Sequence, residues 1–209
     1  GAGTNLNIGV ANLYLGYSGT GFMNITNGAT ITSSLSLVGY QFGYTGVATV
    51  DGTGSTWRVG TSGLRIGESG IGILNVTGGG DVLTTTLNVA SGSTSVGTIT
   101  IGGTGSLVSV TNVLYLGGSQ TGSGGTGSIT VTGGALNVGA TTTIYGTATL
   151  TVGPTASFMS KALSGSGNIR DAFNQRHILL IDAELIIADQ RAIRSTAEDT
   201  VFIFVDFLE

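Results

Sequence analysis

LYLGYSGTGFMNITNGATI (residues 13–31) and LRIGESGIGILNVTGGGDV (residues 64–82) lie over one another without a gap, and LYLG returns at 114–117. The offsets are 51 and 50. Self-similarity at a fixed period decides a fold before any local propensity does, because it means that one supersecondary unit is stacked on itself. A second unit type sits between these copies. LSLV (35–38) matches LNVA (87–90), and GTGS at 52–55 matches GTGS at 103–106. Taking the first Leu as each start gives 13, 35, 64, 87 and 114, with a looser sixth start near Thr143. The third copy, 114–138, carries about six extra residues in the Gly/Ser stretch SQTGSGGTGS, by comparison with its sister units.

Inside each unit the pattern is that of strands. Leu74-Asn75-Val76-Thr77, Ile99-Thr100-Ile101 and Ile129-Thr130-Val131-Thr132 alternate apolar with polar residues, the period of a half-buried strand. The apolar members are largely β-branched, and the runs end at Gly-rich turns. No apolar stripe in 1–160 follows the helical period. Short strands separated by two or three Gly turns in every 22–29 residues describe one coil of a parallel β-helix. The expected fold is therefore all-β: a parallel β-solenoid of about six to seven coils, each adding about 4.8 Å to the axis. In that register Leu13, Leu64 and Leu114 share one interior column, and Val76 shares another with Ile25 and Val131.

Composition agrees. Gly is 38 of 209 residues, close to one in five, against about 7% ordinarily. Corners need positive φ or close backbone approach, which Gly supplies. Charged residues are only 9%; in a stacked solenoid a charge faces its own kind one coil away, an unfavourable pair. Mean hydropathy is +0.39, so the bias does not signal disorder, which needs low hydrophobicity and high charge. Residues 1–160 hold only Asp51, Arg58, Arg65, Glu68 and Asp81; the remaining 13 of 18 charged residues, with His177, lie in the last 49. This divides the chain into a repeat domain, 1–165, and a capping or assembly segment, 166–209. No basic cluster offers a nucleic-acid surface. No apolar run approaches the ~18–20 residues of a membrane helix.

The stretches LRIGESGIGILNVTGGGDV (64–82), GYTGVATVDGTGSTWRVG (43–60) and LSGSGNI (163–169) resemble the β-strand repeats of bacterial autotransporter passenger domains. That family alternates a Leu-x-aliphatic-Gly opening, a Gly-x-Gly turn and a Gly-Ser-x-Trp strand. The resemblance covers roughly residues 6–169. It implies a right-handed β-helix at the extracellular face of a Gram-negative bacterium, serving as stalk, adhesin or aggregation module. The partners it implies are host or surface glycans and proteins, or the chain itself.

The chemistry of the residues points the same way. Polysaccharide-cleaving β-helices need carboxylates that share acid and base roles. The repeat region offers Asp51, Glu68 and Asp81, whose counterparts in sister units are Gly102, Tyr17 or Gly118, and Thr30. No catalytic residue, metal site or cofactor is expected; Gly78-Gly79-Gly80-Asp81 is a single echo of a calcium-binding nonapeptide that needs a run of copies. Trp57 reads as a core or corner aromatic. Tyr40, Phe42 and Tyr44, spaced as alternate residues of a strand, read either as packing or as a ligand- or partner-binding platform. In the tail, TVFIFVDFL (200–208) places Val201, Ile203, Val205 and Phe207 on one side and Phe202 and Phe204 on the other. The expectation is a β-strand over 201–208 that caps the C-terminal end of the solenoid, where an open edge would invite aggregation. The alternative is that this strand is donated to another copy, giving an extracellular filament.

Overall fold

A computed structural model describes residues 3–171, 178–181 and 201–204. Between Asn5 and Asp171 every strand pairing is parallel except one small hairpin, Gly118–Ser119 with Gly122–Ser123. No helix occurs among the described residues. The chain winds as a parallel β-solenoid whose coils each contribute three strand segments. The third segment forms a seven-stranded face from Gly21–Ile25, Thr45–Asp51, Ile71–Thr77, Val96–Ile101, Thr126–Val131, Thr149–Val152 and Asn168–Asp171. Six full turns therefore separate its first and last strands. The first and second segments run together in the long strands Thr30–Val38, Thr56–Ile66, Gly134–Ile144 and Ala156–Gly165. Elsewhere they separate, as Asp81–Thr84 and Leu87–Val89, or Leu107–Val110 and Leu114–Leu116. Register shifts between Ser33 and Leu35 and between Val138 and Thr141 mark the bend between these two faces.

Leu13, Leu64 and Leu114 do share a column, which runs Leu13, Ser36, Leu64, Leu87, Leu114, Thr142 and Leu163. Two unit starts differ by one residue from the expected Leu35 and Thr143: the inward positions are Ser36 and Thr142. A one-residue slip exchanges the two faces of a strand, so Ser36 points inward and Leu37 outward. The slip is tolerated because the inward hydroxyls are satisfied at the bend, Ser36 Oγ with Ser33 Oγ at 2.6 Å and Thr142 Oγ1 with Ser160 Oγ at 2.9 Å. Outward Leu37, flanked by Tyr14 and Arg65, is still only 3% exposed.

The core is a set of such columns. On the third face Ile25, Val50, Val76, Ile101, Val131 and Val152 stack in order, all buried. On the first face the column is Ile31, Trp57, Val82, Val108, Leu136 and Phe158. Trp57 is fully buried and its Nε1 has no hydrogen-bond partner, so it is a core residue. Each fully buried aliphatic side chain contributes about 1.5–3 kcal/mol, and a column repeats that gain at every coil.

The corners explain the turn motifs. In GTGS at 103–106, Ser106 Oγ donates to Gly102 O at 2.8 Å and accepts from Gly79 N in the coil below at 3.1 Å. Ser55 in the sister motif accepts from Gly28 N at 3.1 Å. The motif thus closes its own turn and clamps the previous coil. At the opposite corner the second face ends on Gly16, Gly39, Gly67, Ala90 and Gly117, all with φ between 59° and 78°.

At the C-terminal end, Ile178–Ile181 pairs in parallel with the strand Ala156–Gly165, and Val201–Phe204 pairs antiparallel with Ile178–Ile181. The strand expected in the tail is thus present over Val201–Phe204 in the backbone. Val205, Phe207 and His177 lie outside the described residues.

Candidate functional site

Because coils stack in register, side chains that leave one corner and one outward row line up along the rod axis. The outward row of the second face runs Tyr14, Leu37, Arg65, Asn88, Tyr115 and Thr143. The residues just past the corner run beside it: Tyr17, Tyr40, Glu68 and Ser91, following Gly16, Gly39, Gly67 and Ala90. Corner bonds such as Glu68 N to Gly39 O at 3.1 Å and Ser91 N to Gly67 O at 2.9 Å hold that alignment. Together the two rows make one stripe, aromatic at its N-terminal end and polar further on.

Tyr14, Tyr17 and Tyr40 form the aromatic end. Tyr17 and Tyr40 stack with ring centroids 5.2 Å apart, and Tyr14 meets them edge-on at 5.6 and 5.0 Å. The stacking follows from the coil spacing of about 4.8 Å, which is close to the preferred distance for offset rings. Tyr40, Phe42 and Tyr44 do not lie on one strand as expected. After the positive φ of Gly39 the chain leaves the second face, and residues 39–44 form the corner. Tyr40 therefore joins Tyr14 and Tyr17, whereas Phe42, 73% exposed, and Tyr44, 38% exposed, stand on the corner itself.

The polar part begins with Arg65, whose Nη1 donates to Glu68 Oε1 at 2.6 Å, the only ion pair among the described residues. Three atoms on neighbouring coils, Glu68 Oε2, Asn88 Oδ1 and Ser91 Oγ, are buried without a hydrogen-bond partner. Buried polar atoms normally find partners, so three together mark a spot where the fold leaves bonding capacity unused.

Beyond them the six-residue insertion folds as the hairpin Gly118–Ser119 and Gly122–Ser123. It is fastened at both ends. Gly124 N donates to Gly117 O at 2.7 Å and Gly125 N to Ala90 O at 3.0 Å, while Thr147 Oγ1 donates to Gly125 O at 2.7 Å. Tyr145 OH donates to Ser119 O at 2.7 Å, and a Cβ on Gly118 would lie 2.6 Å from the Tyr145 ring. Burial, and to a lesser degree Tyr115, pushes the Tyr145 phenol above its ordinary pKa, so it remains the donor in this bond. The hairpin overhangs a pocket of about 340 Å³ whose walls include Ser62, Arg65, Asn88, Asn112, Tyr115 and Gln120. That volume lies in the ordinary range of small-molecule sites, ~300–1,000 Å³.

The remaining carboxylates stand elsewhere. Asp51 accepts from Thr77 Oγ1 at 2.6 Å at the end of its strand. Asp81 begins a first-face segment, its pKa raised by burial and lowered less by Arg58. No group of three His, Cys, Asp or Glu side chains gathers to hold a metal ion among the described residues.

No protein-family model, curated protein or solved structure matches the chain. The stripe is read from its own chemistry. The sequence pointed to Tyr40 but missed Tyr14 and Tyr17, whose alignment with it depends on the one-residue slip at Ser36. It showed the insertion at 119–124 but not the pocket beneath it, because Gln120 meets Ser62 and Arg65 only when coils are superposed.

Proposed function

We propose that this chain is a non-enzymatic, secreted or cell-surface β-solenoid, a structural and adhesive rod like the passenger domains of bacterial autotransporters, and that the stripe is its contact surface. The observation that carries this reading is the Tyr14/Tyr17/Tyr40 cluster, the only ring-on-ring grouping among the described residues, with Tyr14 and Tyr17 exposed and Tyr40 half-buried. Aromatic anchors surrounded by polar groups are the usual composition of recognition sites. The carboxylates support a binding role as well: Asp51 and Glu68 are engaged by Thr77 and Arg65. The repeat resemblance over residues 6–169 supports a location on the outer face of a Gram-negative bacterium.

The test is adhesion. Beads coated with the chain are expected to adhere to host epithelial or bacterial surfaces and to lose adhesion when Tyr14, Tyr17 and Tyr40 are replaced together by Ser. The variant's circular dichroism should be unchanged. Beads that adhere to none of these surfaces, or adhere equally well without the tyrosines, would overturn the reading. A second reading, a filament subunit, draws on the antiparallel pairing of Val201–Phe204 with Ile178–Ile181, the arrangement a donated strand would use. Continuous fibres in negative stain would favour it; isolated short rods would favour the adhesive monomer.

A further inference from the structure

We infer that the pocket beneath the 118–123 hairpin binds a neutral sugar unit of a linear glycan that lies lengthwise along the stripe. The inference rests on the adhesive reading for its biological setting only; the pocket's chemistry stands by itself.

Three features of the walls select the ligand. First, the pocket is polar and electrically balanced. The Arg65 guanidinium is already committed to Glu68 at 2.6 Å, so no free cation remains to attract an anion. Second, Asn88, Asn112 and Gln120 each present both a donor and an acceptor. Vicinal sugar hydroxyls need that combination, because each hydroxyl both gives and accepts a hydrogen bond. Third, Tyr115 adds the one aromatic surface, and a sugar ring has one apolar face to lay on it. An apolar ligand would strand the amides, and a carboxylate ligand would find the one wall cation, Arg65, already paired with Glu68.

One of the three unpartnered atoms belongs to a wall residue. Asn88 lines the pocket and its Oδ1 has no partner. Rotation of the amide about its terminal bond exchanges oxygen and nitrogen, so either group can face a ligand. The hairpin supplies Gln120 from the far side, reaching back over the Asn88 coil to the Ser62–Arg65 coil. An insertion fastened by Tyr145 and two corner bonds holds that wall in place before any ligand arrives, which lowers the ordering cost of binding.

The ligand's direction follows from the stripe. One coil beyond Arg65 stands Tyr40, and one further stands Tyr17, at steps of about 4.8 Å along the axis. A glycan with one ring in the pocket and its chain directed toward the N-terminal coils lays later rings on the tyrosines.

The experiment is saturation-transfer NMR and calorimetry on the full chain. The probes are neutral mono- to tetrasaccharides of glucose, galactose, mannose and N-acetylglucosamine, with a sialylated trisaccharide as the anionic arm. At least one neutral series is expected to bind saturably and to gain affinity with length. Gln120→Ala and Asn88→Ala should each weaken every member of that series by about tenfold or more, as loss of a hydrogen bond in a partly buried site does. Tyr17→Ser should weaken only the longer members. Gln120 is exposed on the hairpin, so its variant keeps the fold and the result remains interpretable if Asn88→Ala does not. Absence of any saturable neutral sugar, binding confined to the anionic probe, or binding unchanged in Gln120→Ala would each overturn the inference. Cell adhesion by a parent chain that binds no sugar sinks the pocket and leaves the adhesive reading. Sugar binding by a chain that adheres to no surface does the reverse.

Discussion

Replacing Gly72 with Ala tests the corner geometry on which the whole stack depends. Gly72 belongs to a column with Gly21, Gly46, Gly97 and Gly127, each the first or second residue of a third-face strand. A Cβ at Gly72 would lie 2.1 Å from Gly67 N, 2.4 Å from Val38 O and 2.7 Å from the Ile66 carbonyl carbon. All three are backbone atoms, so no side chain can rotate away. Gly67 N also donates to Val38 O at 2.7 Å, and the methyl would intrude on this very bond. Relief requires the corner to move by about an ångström or more, which costs about 1–3 kcal/mol as overpacking. Loss of the corner bond adds about 1 kcal/mol. The sum, about 2–4 kcal/mol, corresponds to a fall of roughly 4–16 °C in Tm for a chain of this size. The control is Gly19→Ala, in the equivalent corner two coils earlier, where a Cβ meets nothing within 4 Å. That variant should be neutral or gain up to about 1 kcal/mol from the stiffer unfolded chain. Thermal melts followed by far-UV circular dichroism give both values. Hydrogen exchange should place the loss in coils around 38–76, because solenoid repeats couple mainly to their neighbours. A Gly72→Ala chain that melts within about 2 °C of the parent would refute the close approach of these corners.

Two further substitutions test local terms. Ala90, with φ 59°, is the one non-glycine among the five corner positions of its row, and the left-handed region costs a residue with a Cβ about 1–2 kcal/mol. Ala90→Gly, after loss of one buried methyl, should stabilise by up to about 1 kcal/mol, read as a higher denaturant midpoint at unchanged slope; a lower midpoint would refute the strain. Burial raises the Asp81 pKa more than Arg58 lowers it, so this group's stabilising contribution is complete below the unfolded carboxylate range and is lost as pH rises through the raised folded value. Asp81→Asn should therefore melt above the parent at pH 7 and lose that advantage at pH 3, and a variant less stable at pH 7 would reverse the assignment.

The coil pattern was legible because it is over-determined. An inward column accepts only apolar residues, and a corner that passes within 3 Å of the next accepts only Gly, so both leave a mark in every copy. Register at the bend was not legible. Likeness of side chains sets Leu35 over Leu87, an offset of 52, whereas GTGS repeats at 51; the fold keeps 51 and sets Ser36 over Leu87. What decides is the Ser33–Ser36 hydrogen bond, a three-dimensional compensation with no signature in the alignment. The aromatics at 40–44 misled for a related reason. Alternation predicts a strand when the backbone stays extended, and Gly39 turns it.

The irregularities bear on the proposed contact stripe. In a stacked coil each position is copied by its neighbours, so a residue that breaks the copy gives up packing that the column would otherwise repeat. Most such breaks carry a visible compensation, as at Ser33 and Ser36. Along the stripe Ala90 and three polar side chains have none. Ala90 holds a conformation that its row assigns to Gly. Tyr145 takes the next corner position in that row and fastens the inserted hairpin. Glu68, Asn88 and Ser91 leave buried atoms unpartnered within two coils of one another. Features that cost stability persist when function uses them; of these residues Asn88 lines the pocket, Glu68 holds the wall residue Arg65, and Tyr145 holds the hairpin that supplies Gln120. The third face shows the contrast: seven strands in unbroken register from Gly21–Ile25 to Asn168–Asp171, without a bulge or insertion. That regularity, set against the unpartnered atoms of Glu68, Asn88 and Ser91 and the left-handed Ala90, supports the proposal that the stripe and not the third face is the contact surface.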